Sequence, residues 1–155
     1  MIAPRVAAWL AAHAPDLRII DQSASTATVA EAAATLGVEP ARIAKTLAFR
    51  VNETVMLVVA RGDARLDNAK CKAALGGRPR MLDAGQTLAL TGHAVGGVCP
   101  FALETPLPVL ADRSLLAFQT VFPAAGSRTS SIEVEPQRLA GLVDAKWVDI
   151  CSLPE

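Results

Sequence analysis

The chain has 155 residues, of which 52% are hydrophobic and 19% are charged, and its 15 Lys and Arg residues balance 15 Asp and Glu residues. This size and composition predict one folded domain over residues 1–155 and exclude a disordered or uniformly basic chain, although a local charged patch remains allowed. The longest apolar runs, such as residues 55–60, fall short of the roughly 18 residues that a membrane-spanning helix needs.

Capping residues and turns divide the chain into short elements. Pro4 begins a predicted amphipathic helix that ends before Pro15. The same segment resembles a secretory signal peptide, but the helix is the preferred interpretation. Thr28 caps the next helix, Glu31 completes its capping box and Gly37 ends it. Further helical segments are predicted over residues 40–44, 68–75, 85–90 and 136–142. Strands are predicted over residues 17–20, 46–51, 54–60, 79–82, 107–110, 117–122, 131–135 and 147–150.

The order of these elements indicates the fold class. Strands and helices do not alternate strictly, so a mixed α/β fold, with a mixed sheet flanked by helices, is favoured over a doubly wound parallel sheet.

The cysteines and histidines give no strong catalytic signal. Cys71, Cys99 and Cys151 form an odd set without a C-x-x-C pair, which predicts neither disulfides nor a zinc site and favours a reducing cytoplasm. Cys99 has no evident base partner, so it is expected to fill space rather than attack a substrate. His13 is interpreted as a packing or surface residue, whereas His93, which precedes a glycine-rich loop, is either structural or a substrate contact.

Lys45 and the loop Gly96-Gly-Val-Cys-Pro100 carry the clearest signal for a binding site. Lys45 is predicted to lie between a helical turn and a strand, amid apolar neighbours, where it could equally reach solvent. Glycines lack a Cβ, so the loop can bring backbone N–H groups close to a ligand. Lys45 and the loop together predict an anion-binding cleft.

A basic strip lies between residues 61 and 80. This stretch contains six basic residues and two acidic residues, which gives a local excess of four positive charges. The strip is either a solvated helix face or a surface that attracts nucleic-acid phosphates, with Lys70 and Lys72 as the predicted contacts.

Four segments resemble the YbaK/prolyl-tRNA-synthetase-associated domain family. They are residues 25–38, the Ile-Ala-Lys segment 43–49, the G-x-x-x-P segment 92–101 and the Ala-Gly-Ser-Arg segment 125–128, and the match runs from about residue 20 to the end. The resemblance implies a curved, mostly antiparallel mixed sheet and the trans-editing of mischarged tRNA by hydrolysis of the aminoacyl ester, on tRNA(Pro) carrying a small amino acid. It implies no metal or organic cofactor, and it names tRNA and prolyl-tRNA synthetase as partners.

The resemblance also implies roles for individual residues. Lys45 would bind the tRNA 3′ end, and the loop that contains Gly96, Gly97, Val98, Cys99 and Pro100 would position the aminoacyl group. Ser131 stands where the cysteinyl-tRNA(Pro) deacylase branch commonly has Asp, so the amino acid stays undecided. Two other functions remain open at this stage. One is a non-catalytic module that binds a tRNA acceptor end or a synthetase, and the other is a binder of small carboxylates or nucleotides.

Overall fold

The computed structural model describes residues 1–155, and its element boundaries follow the caps and turns of the sequence. The five α-helices are α1 (Pro4–His13), α2 (Val29–Leu36), α3 (Asn68–Leu75), α4 (Ala84–Thr91) and α5 (Pro136–Leu142). The ten strands are β1 (Ile20–Asp21), β2 (Ile43–Val51), β3 (Thr54–Arg61), β4 (Arg65–Leu66), β5 (Arg80–Met81), β6 (Val109–Asp112), β7 (Phe122–Pro123), β8 (Ser130–Ser131), β9 (Lys146–Val148) and β10 (Cys151–Ser152). Two 3₁₀-helices cover Pro40–Arg42 and Arg113–Ala117. None of the helices has the length and hydrophobicity to cross a membrane.

The predicted Thr28 cap is confirmed, but the predicted capping box is absent, because the Glu31 carboxylate accepts a hydrogen bond from the Thr28 hydroxyl and not from the Thr28 N–H. The Thr28 side chain accepts a hydrogen bond from the Glu31 N–H at the start of α2, and Asp67 caps α3 in the same way. Each of these helices ends at a glycine with left-handed backbone angles, Gly37 and Gly76, a conformation that other residues adopt only at a cost. Asp83, which the sequence analysis did not single out, caps α4.

A long hairpin is the centre of the large sheet. β2 and β3 form eight residue pairs around the two-residue turn Asn52-Glu53. The strand order is β5-β2-β3-β6-β9, and β7 adds to the outer edge of β2. The predicted mixed sheet is confirmed. Four of the seven strand pairings in the protein are antiparallel, but three of the five in the large sheet are parallel.

The large sheet separates two hydrophobic cores. Leu57 of β3 packs into the first core with Phe101, whereas the next residue, Val58, packs into the second with Phe49 and Cys71. This alternation follows from the two-residue period of a strand. Fully burying one such large apolar side chain stabilises the fold by about 1.5–3 kcal/mol, so both faces of the hairpin are fixed in place.

Two predicted boundaries are wrong in ways that matter for the site. The strand predicted over residues 117–122 is mostly absent, because residue 117 ends the 3₁₀-helix that the Asp112 side chain caps, and only an isolated bridge of Val121 with Val134 precedes β7. β2 begins at Ile43, so Lys45 lies within the strand rather than at a junction. The reason is that the hairpin ladder extends back to the pair of Ala44 with Arg61.

Candidate functional site

A cleft of about 360 Å³ lies beside β2, where the outer edge of this strand is interrupted. β7 pairs with the first two residues of β2, and β5 pairs with two residues near its other end. Between these two short ladders, residues 45–48 have no neighbouring strand on that side. The cleft therefore occupies a break in the pairing of the longest strand in the protein.

Thr46 lies in the middle of this break. The pair of Val51 with Thr54 closes a two-residue hairpin, and hydrogen-bonded pairs alternate from there, so the peptide groups of Thr46 point away from β3. Ala48 has the same orientation, and its carbonyl accepts a hydrogen bond from Leu82 N–H at 3.1 Å. The Thr46 Oγ1 is buried without a hydrogen-bond partner, and the residue lines the cleft. An unsatisfied buried hydroxyl costs about 1–3 kcal/mol, which makes this atom a candidate ligand contact.

The Gly96 loop forms another wall of the cleft. Gly96 has a φ of 100°, in the left-handed region that favours glycine. The Gly97 N–H donates to the Ala94 carbonyl at 3.0 Å and closes a turn, so it is not free for a ligand. Gly96 and Val98 both line the cleft, and their amides donate to no other protein group. Two such free amides can bind a carboxylate or a polarised carbonyl oxygen.

Gly97 packs against a neighbouring loop of the protein. It does not line the cleft, contrary to its predicted contact with substrate. A Cβ at this position would lie 2.7 Å from Ser127 N and 2.8 Å from Gly126 C. Close backbone packing against the segment that contains residues 126 and 127 therefore requires a glycine at position 97.

Cys99, Pro100 and His93 are buried and do not line the cleft, although the sequence predicted all three as substrate contacts. The sequence showed no evident base partner for Cys99, but the structure places its Sγ 3.5 Å from His93 Nε2. That nitrogen is 2.6 Å from the Phe101 carbonyl oxygen, a contact that requires the proton on Nε2. Burial raises the pKa of Cys99 to about 12 and lowers the pKa of His93. Both groups are therefore neutral near pH 7, and they pack as a structural pair.

Lys45 contacts the cleft and also a second cavity on the opposite side of the β2 edge. Its ammonium donates a hydrogen bond to the Ala64 carbonyl, which lines only the second cavity. Alternation along β2 explains this direction, because Lys45 shares a face with Phe49 while Ala48 faces the core beneath the Gly96 loop. Lys45 and the loop thus line one cleft, but the ammonium points away from the loop.

The electrostatic surroundings of Lys45 are mixed. Burial is the main cause that lowers its pKa, and the nearby Arg65 lowers it further. The Cys151 thiol and the Asp63 carboxylate act in the opposite direction. A partly desolvated ammonium is a strong partner for an anion, since water competes less well for it.

The two lysines predicted to bind tRNA are in different situations. The Lys70 ammonium lies 3.0 Å from Asp149 Oδ1 and donates to the Cys151 carbonyl at 2.8 Å, and the bond with Asp149 is the main cause that raises the pKa of Lys70. Lys72 is exposed and forms no ion pair. Of this pair, Lys72 is the one whose charge is free to meet a phosphate.

Other elements complete the cleft, and the sequence analysis missed them. Thr26 and Thr28, which precede α2, line the cleft together with Thr87 of α4 and Ser131 of β8, although the hydroxyls of Thr26 and Thr87 already donate to protein carbonyls. Thr46 was also missed, because a single threonine in a strand is ordinary. Its position directly after Lys45, as the only hydroxyl in the apolar segment 43–49, was the available signal. No carboxylate or imidazole lines the cleft, and no cluster of His, Cys, Asp or Glu could hold a metal ion.

This fold and this cleft define a mixed α/β domain that offers hydroxyls, free amides and one lysine to a small polar ligand. The model of the aminoacyl-tRNA editing domain family matches residues 23–142, and the chain belongs to this family. The resemblance inferred from the sequence is thereby confirmed.

The relatives include both separate proteins and segments of larger enzymes. The uncharacterized protein YwhH of Bacillus subtilis (strain 168) is 50% identical over 129 residues, which cover 82% of each chain. A proline–tRNA ligase of Lysinibacillus sphaericus (strain C3-41) is 30% identical over 113 residues, which cover 72% of this chain but 20% of the ligase. A crystal structure described as a candidate trans-editing enzyme for prolyl-tRNA synthetase matches with a TM-score of 0.88 and 32% identity, over 98% of this chain and 99% of the other. The chain thus matches about a fifth of that ligase.

Replacement of Gly97 tests the packing function of this residue. Gly97→Ala should lower the free energy of unfolding by about 1–3 kcal/mol, because the added methyl group meets backbone atoms that cannot rotate away. Gly141→Ala in α5 is the control. A Cβ there meets nothing within 4 Å, so this change should raise the free energy by about 0.5–1 kcal/mol. Urea denaturation measures both values, and a Gly97→Ala protein as stable as the original would refute the packing explanation.

Thiol labelling tests the structural interpretation of the cysteines. All three cysteines are buried, and burial raises the pKa of Cys99 and Cys151 to about 12. The native protein at pH 8 should therefore react with a thiol reagent far more slowly than the protein in guanidinium chloride, where all three thiols are available. Rapid labelling of Cys99 in the native protein would contradict its burial and make a nucleophilic role worth testing.

Proposed function

We propose that the protein is a trans-editing deacylase that hydrolyses the ester of a mischarged tRNA, with the aminoacyl group bound in the cleft beside β2. The observation that carries this proposal is that one cleft is lined by Thr46, whose hydroxyl has no partner, and by Gly96 and Val98, whose amides donate to no other protein group. Membership of the editing-domain family supports the substrate class. The relatives that are proline–tRNA ligases support tRNA(Pro) as the tRNA.

The chemistry requires little more than positioning. The oxygen of a water molecule bonds to the ester carbonyl carbon, the bond to the ribose oxygen breaks, and that oxygen takes a proton as the amino acid leaves. During attack the carbonyl oxygen gains negative charge, and in this proposal the amides of Gly96 and Val98, which line the cleft, stabilise it. The Thr46 hydroxyl then supplies a hydrogen bond to the substrate or to the attacking water.

No protein base is needed for this reaction. The aminoacyl ester is already activated, and no carboxylate or imidazole lines the cleft. The proton of the attacking water therefore passes to solvent, or to the neighbouring ribose hydroxyl as that hydroxyl gives its own proton to the leaving ribose oxygen. Lys45 binds the phosphate or ribose of the terminal nucleotide at the rim of the cleft.

Size exclusion accounts for the choice of amino acid. The cleft volume of about 360 Å³ is near the lower end of the roughly 300–1,000 Å³ found for ligand sites. Alanines, among them Ala32, Ala44, Ala48 and Ala124, form much of its wall. An apolar wall distinguishes one methylene group by only about 1–3 kcal/mol, so we propose a small amino acid and rejection of larger ones by steric overlap.

A panel of aminoacyl-tRNAs tests the proposal. Purified protein is mixed with tRNA(Pro) charged with alanine, serine, cysteine or proline, and release of the amino acid is measured against the uncatalysed rate. We expect faster release of at least one small non-cognate amino acid and little release of proline. Binding of the charged tRNAs without faster release would instead identify a non-catalytic acceptor-end module.

Thr46→Val isolates the hydroxyl in the cleft. Valine keeps the shape and the strand preference of threonine, so deacylation should fall by about three- to tenfold through loss of one hydrogen bond. The free energy of unfolding should not decrease, because the removed hydroxyl has no partner in the fold. Thr35→Val is the control. The Thr35 hydroxyl donates to the Ser25 carbonyl at 2.9 Å outside the cleft, so its loss should affect stability and not the rate. An unchanged rate for Thr46→Val would remove Thr46 from the site.

A further inference from the structure

A second cavity of about 360 Å³ lies on the other side of the β2 edge from the cleft. It is lined by Lys45, Leu47, Ala64, Arg65, Leu66, Asn68, Pro79 and Met81. Three of these residues, Lys45, Leu47 and Met81, also line the cleft, so the two cavities meet along one shared rim. A ligand bound in the cleft can therefore continue into the second cavity without leaving the protein surface.

The polar groups of the second cavity are suited to a phosphodiester. The Lys45 ammonium uses one of its three N–H donors on the Ala64 carbonyl, which leaves two for an incoming anion. Arg65 is exposed and forms no ion pair, and the Asn68 side chain makes no hydrogen bond within the protein. The nearest acid that acts on Lys45, Asp63, is already paired with Arg61 at 2.7 Å. The cavity thus offers two cations and a free amide, with its neighbouring carboxylate neutralised.

Further positively charged side chains lie beside this cavity. Arg78 and Arg80 flank Pro79, and both are exposed and free of ion pairs. By contrast, Lys70 and Arg61 of the same basic strip are paired with carboxylates. Apart from Lys72, the unpaired charges of the strip therefore belong to Arg65, which lines the second cavity, and to the two arginines beside Pro79.

The apolar part of the second cavity is suited to a nucleobase. Leu47, Leu66 and Pro79 form apolar walls, and Met81 leaves 56% of its surface exposed at the rim that both cavities share. An exposed methionine beside a cavity is a flexible apolar contact that can cover a flat ring. The apolar walls are suited to the face of the base, the cations to the phosphate, and the free amide of Asn68 to the hydrogen-bonding edge of the base.

We propose that the second cavity binds the nucleotide that precedes the aminoacylated terminal nucleotide in the single-stranded 3′ end of tRNA. This inference rests on the proposed function, which places the aminoacyl group in the adjoining cleft. The terminal nucleotide then crosses the shared rim at Lys45 and Met81, and Arg65 and Asn68 bind the phosphate and base of the nucleotide before it. The cavity thereby distinguishes a tRNA 3′ end from a free aminoacyl ester.

The test combines protein variants with shortened tRNAs. Three uncharged forms of tRNA(Pro) are compared: the full molecule ending in CCA, one that lacks the terminal adenosine, and one that lacks all three terminal nucleotides. Arg65→Ala should weaken binding of the first two by roughly fivefold and leave binding of the third unchanged. Asn68→Ala, which removes a side chain without internal hydrogen bonds, should give the same pattern with a smaller effect. Lys146→Ala, which removes an exposed and unpaired charge on β9 at the far edge of the sheet, is the control and should affect all three forms alike.

The outcomes separate this inference from the proposed function. Equal weakening of all three tRNAs by Arg65→Ala, or no weakening of any, would overturn the nucleotide site and leave only general attraction of phosphates. Absence of tRNA binding by the unaltered protein would overturn it as well. Failure to deacylate the aminoacyl-tRNA panel, with the Arg65 pattern intact, would overturn the proposed hydrolysis and leave the nucleotide site in place.

Discussion

The interrupted pairing along the outer edge of β2 is the constraint on which the rest of the site depends. Two short strands, β5 and β7, pair with the ends of β2 and leave residues 45–48 open between them. An open strand edge invites pairing with other chains, yet here the start of α2 and the Gly96 loop enclose it. The eight pairs with β3 and the two cores hold the strand rigid, so its free edge can keep a fixed geometry.

The same edge explains why one lysine contacts two cavities. Side chains of a strand alternate between faces, so Lys45 and Thr46 point to opposite sides of the sheet, and only the peptide groups of Thr46 face the gap because those of Lys45 pair with β3. Thr46 belongs to the cleft that contains the free amides, and the Lys45 ammonium belongs to the second cavity with Arg65. A substrate that carries an aminoacyl group, a ribose and a phosphate can place its aminoacyl group in the cleft and its phosphate in the second cavity, with the ribose between them.

Much of the fold could be predicted from the sequence, because its signals are local. Thr28, Asp67 and the glycines that end their helices define α2 and α3 through hydrogen bonds within a few residues. The segment 117–122 was predicted wrongly as one strand, since its first residue ends the 3₁₀-helix that the buried Asp112 carboxylate caps. The position of Asp112 depends on a distant part of the chain, because its carboxylate accepts a hydrogen bond from the Ile150 N–H at 2.9 Å.

The candidate site was less predictable, because it depends on contacts between distant segments. The sequence indicated Lys45 and the Gly96 loop as parts of one cleft, and both line it. It could not show that Gly97 packs on the backbone of residues 126 and 127, or that Cys99 and His93 are buried behind the loop. Thr46 became a candidate only when the register of β2 against its neighbours was known.

The most direct test is an NMR titration of ¹⁵N-labelled protein with a stable analogue in which alanine is joined to the 3′ position of adenosine by an amide instead of an ester. This measurement reports binding at each backbone amide without depending on catalysis. The largest shift changes should fall on the amides of Thr46, Gly96 and Val98, which line the cleft. Saturable binding that leaves these three amides unchanged and perturbs another surface would contradict the assignment of the aminoacyl site to the open edge of β2.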